Sequence, residues 1–137
     1  MKMLICALLV SCFSTIPVSS QNQHDCDTQM NCEAAVDANP QNSLAHYRLG
    51  EIFFRSKHWQ LAADEFREAL RGNRDPEWTV VWSHVNLGKI FDVAGQRDRA
   101  LDEYRRAHEY RRVQSLNGDA QDEAARYIES PFRLESK

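Results

Sequence analysis

Glycine and proline are scarce in this chain, five and four in 137 residues. That excludes collagen-like and Pro/Gly-rich linker compositions. No glycine-rich loop is present to cradle a phosphate, and no serine elbow to expose a nucleophile. The histidine-containing pairs lack zinc spacing, and no paired carboxylates or nucleophile–base pair stand out, so the residues point to no enzyme, no metal and no cofactor. No stretch alternates apolar and polar residues with β-branched enrichment, which argues against a sheet. Neither sign of charge prevails: 17 Lys+Arg face 20 Asp+Glu, for a net charge of −3. Such a balance gives no overall attraction for nucleic acid or an anionic membrane.

A long hydrophobic run is missing too. The longest, Leu4 to Val18, is short and broken by Ser, Thr and Pro17, too little for a comfortable membrane span. With the basic Met1-Lys2-Met3 ahead of it and Val18 and Ser20 behind, it reads as a signal peptide cleaved after Ser20, residues 1–20. A retained anchor is one alternative. Another comes from Leu9-Val10-Ser11-Cys12, which resembles a bacterial lipobox with Cys12 as the lipidated residue. The apolar core ahead of Cys12 would then be only Leu4 to Val10, and apolar character continues through Phe13, Ile16 and Val18. An ordinary exported protein, periplasmic or secreted and of bacterial type, is the expectation. A membrane-anchored lipoprotein is the alternative. Without Lys2, 16 basic residues oppose 20 acidic ones, a mature net charge of −4.

Two cysteines remain beyond the leader, Cys26 and Cys32. An even count in an oxidising compartment suggests a disulfide. On one helix, six residues mean a rise of about 9 Å and roughly 240° of rotation, which no disulfide bridges. The bond therefore requires Cys26 to lie in non-helical chain ahead of the helix that carries Cys32. Both states stay open here.

What the chain does have is a repeat. Leu49-Gly50 recurs as Leu87-Gly88, Phe53 as Phe91, Ala62 as Ala100, Phe66 as Tyr104 and Ala69 as Ala107, always 38 residues on. A fixed period of this size marks stacked supersecondary units. The periodicity predicts helices from about Thr28 to the stop at Asn39-Pro40, from Leu44 to Lys57 with Ser43 as cap, and from Trp59 to Arg71 closed by Gly72-Asn73. It predicts three more: one opened by Asp75 as cap and Pro76 as first residue and running to Ala94, one from Arg97 to Ser115, and a last from Asp119 to Glu129.

These residues resemble the tetratricopeptide repeat (TPR), a helix pair with Leu-Gly and a large residue in helix A, then Ala, aromatic and Ala in helix B. The resemblance implies an all-α fold, a short right-handed α-solenoid of antiparallel helix pairs. One unit spans residues 43–76. A second, residues 77–114, has its first helix lengthened by the extra four residues near Asp75 to Val80. Residues 21–42 form a polar segment and half-repeat helix, and residues 115–137 a capping helix and tail. Where the family has a large aromatic, three residues before Leu-Gly, this chain has His46 and His84. The same change twice suggests a local packing choice, with a hydrogen bond across the helix pair.

The resemblance also implies a function, binding a peptide or helix in a groove lined by helix A positions. Transferred by alignment, these are Leu44, Tyr47, Glu51, Phe54 and Arg55, then Trp82, Val85, Lys89, Asp92 and Val93. Trp78 joins them because it stands four residues before Trp82 on one helical face. Some of these aromatics could instead pack under the end segments. The Lys and Asn pattern with which some relatives grip a C-terminal carboxylate is absent. The Arg-rich run from Arg97 to Arg112 carries acids at helical spacing and reads as a solvated helix rather than an RNA surface. The expected protein is thus a non-catalytic scaffold for a protein or peptide partner, without nucleic acid, and touching membrane only if lipidated. The alternative is a lipid-anchored or self-associating envelope component, a homo-oligomer built on the same tryptophans.

Overall fold

The computed structural model describes residues 26–110 and 118–135. The leader with Cys12 and the expected helical residues 111–115 lie outside the described residues. Six helices follow in order: α1 Gln29–Ala38, α2 Ser43–Arg55, α3 Trp59–Arg71, α4 Trp78–Val93, α5 Arg97–Glu109 and α6 Asp119–Glu129. Among the described residues there is no strand.

The helix ends show how local chemistry positions the pieces. Thr28 caps α1, its Oγ1 accepting from the Asn31 amide at 3.2 Å. Cys26 therefore sits in non-helical chain, and its sulfur is bonded to that of Cys32 with the Cα atoms 5.0 Å apart. Asn42, not Ser43, caps α2 by accepting from the Ala45 amide. Ser43 becomes the first helical residue, and its buried hydroxyl accepts from the Arg74 amide at 2.8 Å. Gly72 closes α3, but with φ −69° rather than as a left-handed cap. Its value is close approach: a Cβ there would stand 2.5 Å from Ser43 Oγ and 2.7 Å from the Gln41 carbonyl oxygen.

Two boundaries differ from expectation. Asp75 does not cap α4. The Asp75–Pro76 peptide is cis, and the helix opens at Trp78 with Glu77 in the cap position. The Pro76 carbonyl accepts both the Thr79 amide, at 3.0 Å, and its buried hydroxyl, at 2.8 Å, so the first turn closes around Thr79. Helix α5 stops at Glu109. Tyr110 turns extended (φ −68°, ψ 101°) and its hydroxyl donates to Glu77.

Helices α2 and α3 pair, as do α4 and α5, and the pairs stack as a right-handed solenoid. Inner helix α2 touches α4, and α4 touches α6, whereas outer helices α3 and α5 make no close approach to each other. A stack closer along one row than the other curves toward the closer row, so α2, α4 and α6 line the inner side. Each unit is locked where a glycine faces a ring. A Cβ on Gly50 would lie 2.6 Å from the Phe66 ring, and Gly88 is as tightly set against Tyr104. Phe66 and Tyr104 are wholly buried, each removal from water contributing about 1.5–3 kcal/mol. The two histidines tie inner to outer helix in register: His46 Nδ1 lies 2.7 Å from Glu65 Oε2, and His84 Nδ1 lies 2.6 Å from Glu103 Oε2.

Candidate protein-binding groove

The residues expected to line the groove divide into three groups. Tyr47 and Val85 belong to the core, at 4% and 0% exposure. Tyr47 lies against Phe66 and takes the edge of Trp78 at 5.0 Å, while its hydroxyl donates to Glu51. Burial pushes the Tyr47 phenol pKa upward, reinforced by the charge of Glu51, so it remains a donor. This is a correction to the groove assignment. The second unit starts its inner helix early enough for Trp78 to reach back onto α2, which puts Tyr47 under a roof. Trp78 is correspondingly half-buried, with the Arg48 guanidinium 5.4 Å from its ring.

Lys89 and Asp92 are engaged by residues near the C-terminal end of the described chain. Lys89 pairs with Glu123 of α6 and lies over the rings of Tyr127 and Phe132. The Asp92 carboxylate, 1% exposed, accepts four hydrogen bonds from three donors. They are Arg97 Nη1 to both oxygens at 3.0 Å, the Tyr104 hydroxyl at 3.0 Å and the Phe132 amide at 2.8 Å. Arg97 also donates from Nη2 to the carbonyls of Tyr127 and Ile128 at the C-terminal end of α6. Cations are favoured at such an end, where carbonyls lack helical partners. Burial raises the Tyr104 phenol pKa, with the Asp92 charge second, which keeps its hydroxyl a donor.

The remaining positions stay at the surface. Leu44, Glu51, Phe54, Trp82 and Val93 are half-buried and Arg55 is exposed. Glu51 is held by Arg48 at 2.7 Å. Phe54 meets Trp59 edge-on at 5.2 Å and Phe132 at 6.3 Å. Arg55 borders a cleft of about 240 Å³ shared with Arg48, Glu51, Ile52, Asp27 and Cys26. The inner face is thus a strip. Its N-terminal half is open and mixed in charge. Its C-terminal half is covered by α6 and by Phe132, which follows the extended Ser130 (φ −139°, ψ 127°) and Pro131.

Sequence reasoning missed Arg97, Glu123, Tyr127 and Phe132 as parts of this face. One signal was available. At the 38-residue offset, Phe54 becomes Asp92 and Trp59 becomes Arg97, so an aromatic pair turns into an ion pair. Among the described residues no group of three His, Cys, Asp or Glu side chains is set to hold a metal. No helix among them is long and apolar enough to cross a membrane.

The tetratricopeptide repeat family model matches residues 22–107, more than half of the chain. The protein belongs to the tetratricopeptide repeat family. Domains of this family generally mediate protein–protein interaction and are typically non-catalytic. No characterised protein matches the chain, and no solved structure does.

Proposed function

We propose that this protein is a non-catalytic adaptor that binds an extended peptide or helix of a partner along the inner face of α2 and α4, outside the cytoplasm. The observation that carries the reading is the open strip of that face. Trp82 supplies half-buried aromatic surface beside Leu44, with Glu51 and the exposed Arg55 as charged flanks, and Phe54 marks the border with the half that Phe132 covers. Aromatic anchors in a polar rim are the usual makings of a peptide-binding surface. Export rests on the leader-like start and on the Cys26–Cys32 bond, since disulfides persist in oxidising compartments.

Affinity capture with the wild-type protein and with Trp82→Ala and Arg55→Glu tests the groove. A partner held by the wild type should be recovered much less with both variants, while circular dichroism shows the helices retained. Equal recovery from all three would remove the groove from the mechanism. Intact mass of the exported protein checks the leader: cleavage after Ser20 gives an unmodified chain, whereas a lipid increment at Cys12 would favour the anchored reading.

A further inference from the structure

The C-terminal half of the groove holds a piece of this chain that resembles a bound peptide. Of residues 130–135 five are exposed and Phe132 alone is half-buried, and Phe132 meets residues of α6, α4 and α2. The Phe132 ring sits 5.5 Å from Tyr127, edge-on, and 6.3 Å from Phe54, with the Lys89 ammonium 5.5 Å from its centre. Its backbone N–H donates to Asp92 at 2.8 Å. One ring in an aromatic seat and one main-chain hydrogen bond are together a minimal peptide-recognition contact. The seat does not depend on the tail for its shape, because Arg97 and Tyr104 orient the Asp92 carboxylate and Glu123 holds Lys89.

We propose that residues 130–135 are an internal occupant of the partner groove, competing with an extended partner segment that carries a phenylalanine or tyrosine. The proposal rests on the groove reading above and adds the ligand chemistry and a form of regulation. Asp92 accepts a main-chain N–H, which any residue but proline supplies, so it fixes the register of the incoming strand without selecting its sequence. Selection lies in the ring that fills the space between Phe54, Tyr127 and Lys89. A tethered occupant keeps the seat filled at high effective concentration. Apparent affinity for an external strand is then the intrinsic affinity multiplied by the fraction of molecules whose seat is empty. Because Phe132 is the only residue of the segment with substantial cover, a partner that adds contacts along the open half of the groove can displace it.

A fluorescein-labelled peptide of residues 129–135, titrated against the full chain by fluorescence anisotropy, tests this. Phe132→Ala should bind the peptide at least about tenfold more tightly than the wild type, since its own seat is vacant. The gain should vanish in Phe132→Ala/Phe54→Ala and with a peptide bearing alanine at the phenylalanine position. Equal binding by the wild type and Phe132→Ala, or equal binding of the two peptides, overturns the proposal. A second measurement needs no variant: in the wild type, saturating peptide should raise the exchange rate of the Phe132 amide. An unchanged rate overturns it as well. A concentration-dependent dimer that Phe132→Ala abolishes would do the same, by making a second copy the source of the segment. The two readings fail separately. Capture that ignores Trp82 and Arg55 while the anisotropy result holds sinks the adaptor reading alone. Capture that depends on them while the peptide is ignored sinks the internal occupant alone.

Discussion

At the same register, the two repeat units solve one problem in opposite ways. In the first, Phe54 near the end of the inner helix meets Trp59 at the start of the outer helix, ring edge to ring face. In the second, Asp92 and Arg97 occupy those positions and form an ion pair. The buried ring beneath follows suit, Phe66 in one unit and Tyr104 in the other, whose hydroxyl donates to Asp92. An aromatic pair closes a helical hairpin by burial alone and asks nothing of its neighbours. A buried carboxylate must fill its remaining acceptor sites, and Asp92 does so with Tyr104 and the Phe132 amide. The second unit thereby acquires a hub that fastens the end of the chain. The first unit needs none, since the next repeat stacks on it directly.

That contrast can be broken by substitution. Asp92→Ala should have the largest effect, about 3 kcal/mol in urea unfolding, because it removes the shared acceptor of the buried Tyr104 hydroxyl and the Phe132 amide and leaves Arg97 only its two carbonyl partners. Its positional counterpart Phe54→Ala should cost about 1–2 kcal/mol, the burial of a half-covered ring. Equal costs would dissolve the distinction between hub and hairpin. Gly50→Ala and Gly88→Ala should each cost about 2 kcal/mol by forcing the facing ring aside. Here the prediction is parity, because the glycine–ring contact is the part of the repeat the two units share; a large difference between them would refute it. Tyr104→Phe gives the second unit the ring of the first and should cost about 1 kcal/mol, one hydrogen bond. If that change cost nothing, the hydroxyl would not belong to the hub.

The smallest effect concerns pH. The hydrogen bond to Glu65 raises the His46 pKa above 6.5, burial opposes it, and the Pro40 carbonyl and the charges of Glu65 and Glu68 add to the rise. The folded state thus favours the imidazolium. Its contribution to stability is fully present below pH 6.5 and fades as pH climbs through the higher folded value. Unfolding midpoints followed upward from pH 6 should fall more for the wild type than for His46→Gln. Parallel curves would detach the histidine from the effect.

Much of this fold was legible in the sequence. The 38-residue offset located Gly50, Gly88, Phe66 and Tyr104, because small-against-large packing between two helices needs fixed positions in each unit. The stop at Ser130-Pro131 marked the end of α6 for a purely local reason. The groove was less legible. Tyr47 and Val85 hold family groove positions yet are buried, and Trp78 rests on Tyr47. Which inner-face residues stay open depends on how far the neighbouring helix extends, and a boundary set by Pro76 and Thr79 is not part of the repeat pattern. Phe132 had no periodic partner at all.

By itself the sequence determined the helices, their pairing and the glycine–ring locks, since each depends on residues within a single unit. The tertiary structure alone decided which part of the inner face is free. The Asp92 carboxylate gathers donors from α5 and from a segment 40 residues on. Contacts that distant in the chain leave no period to read, and only the folded backbone brings them within hydrogen-bonding reach.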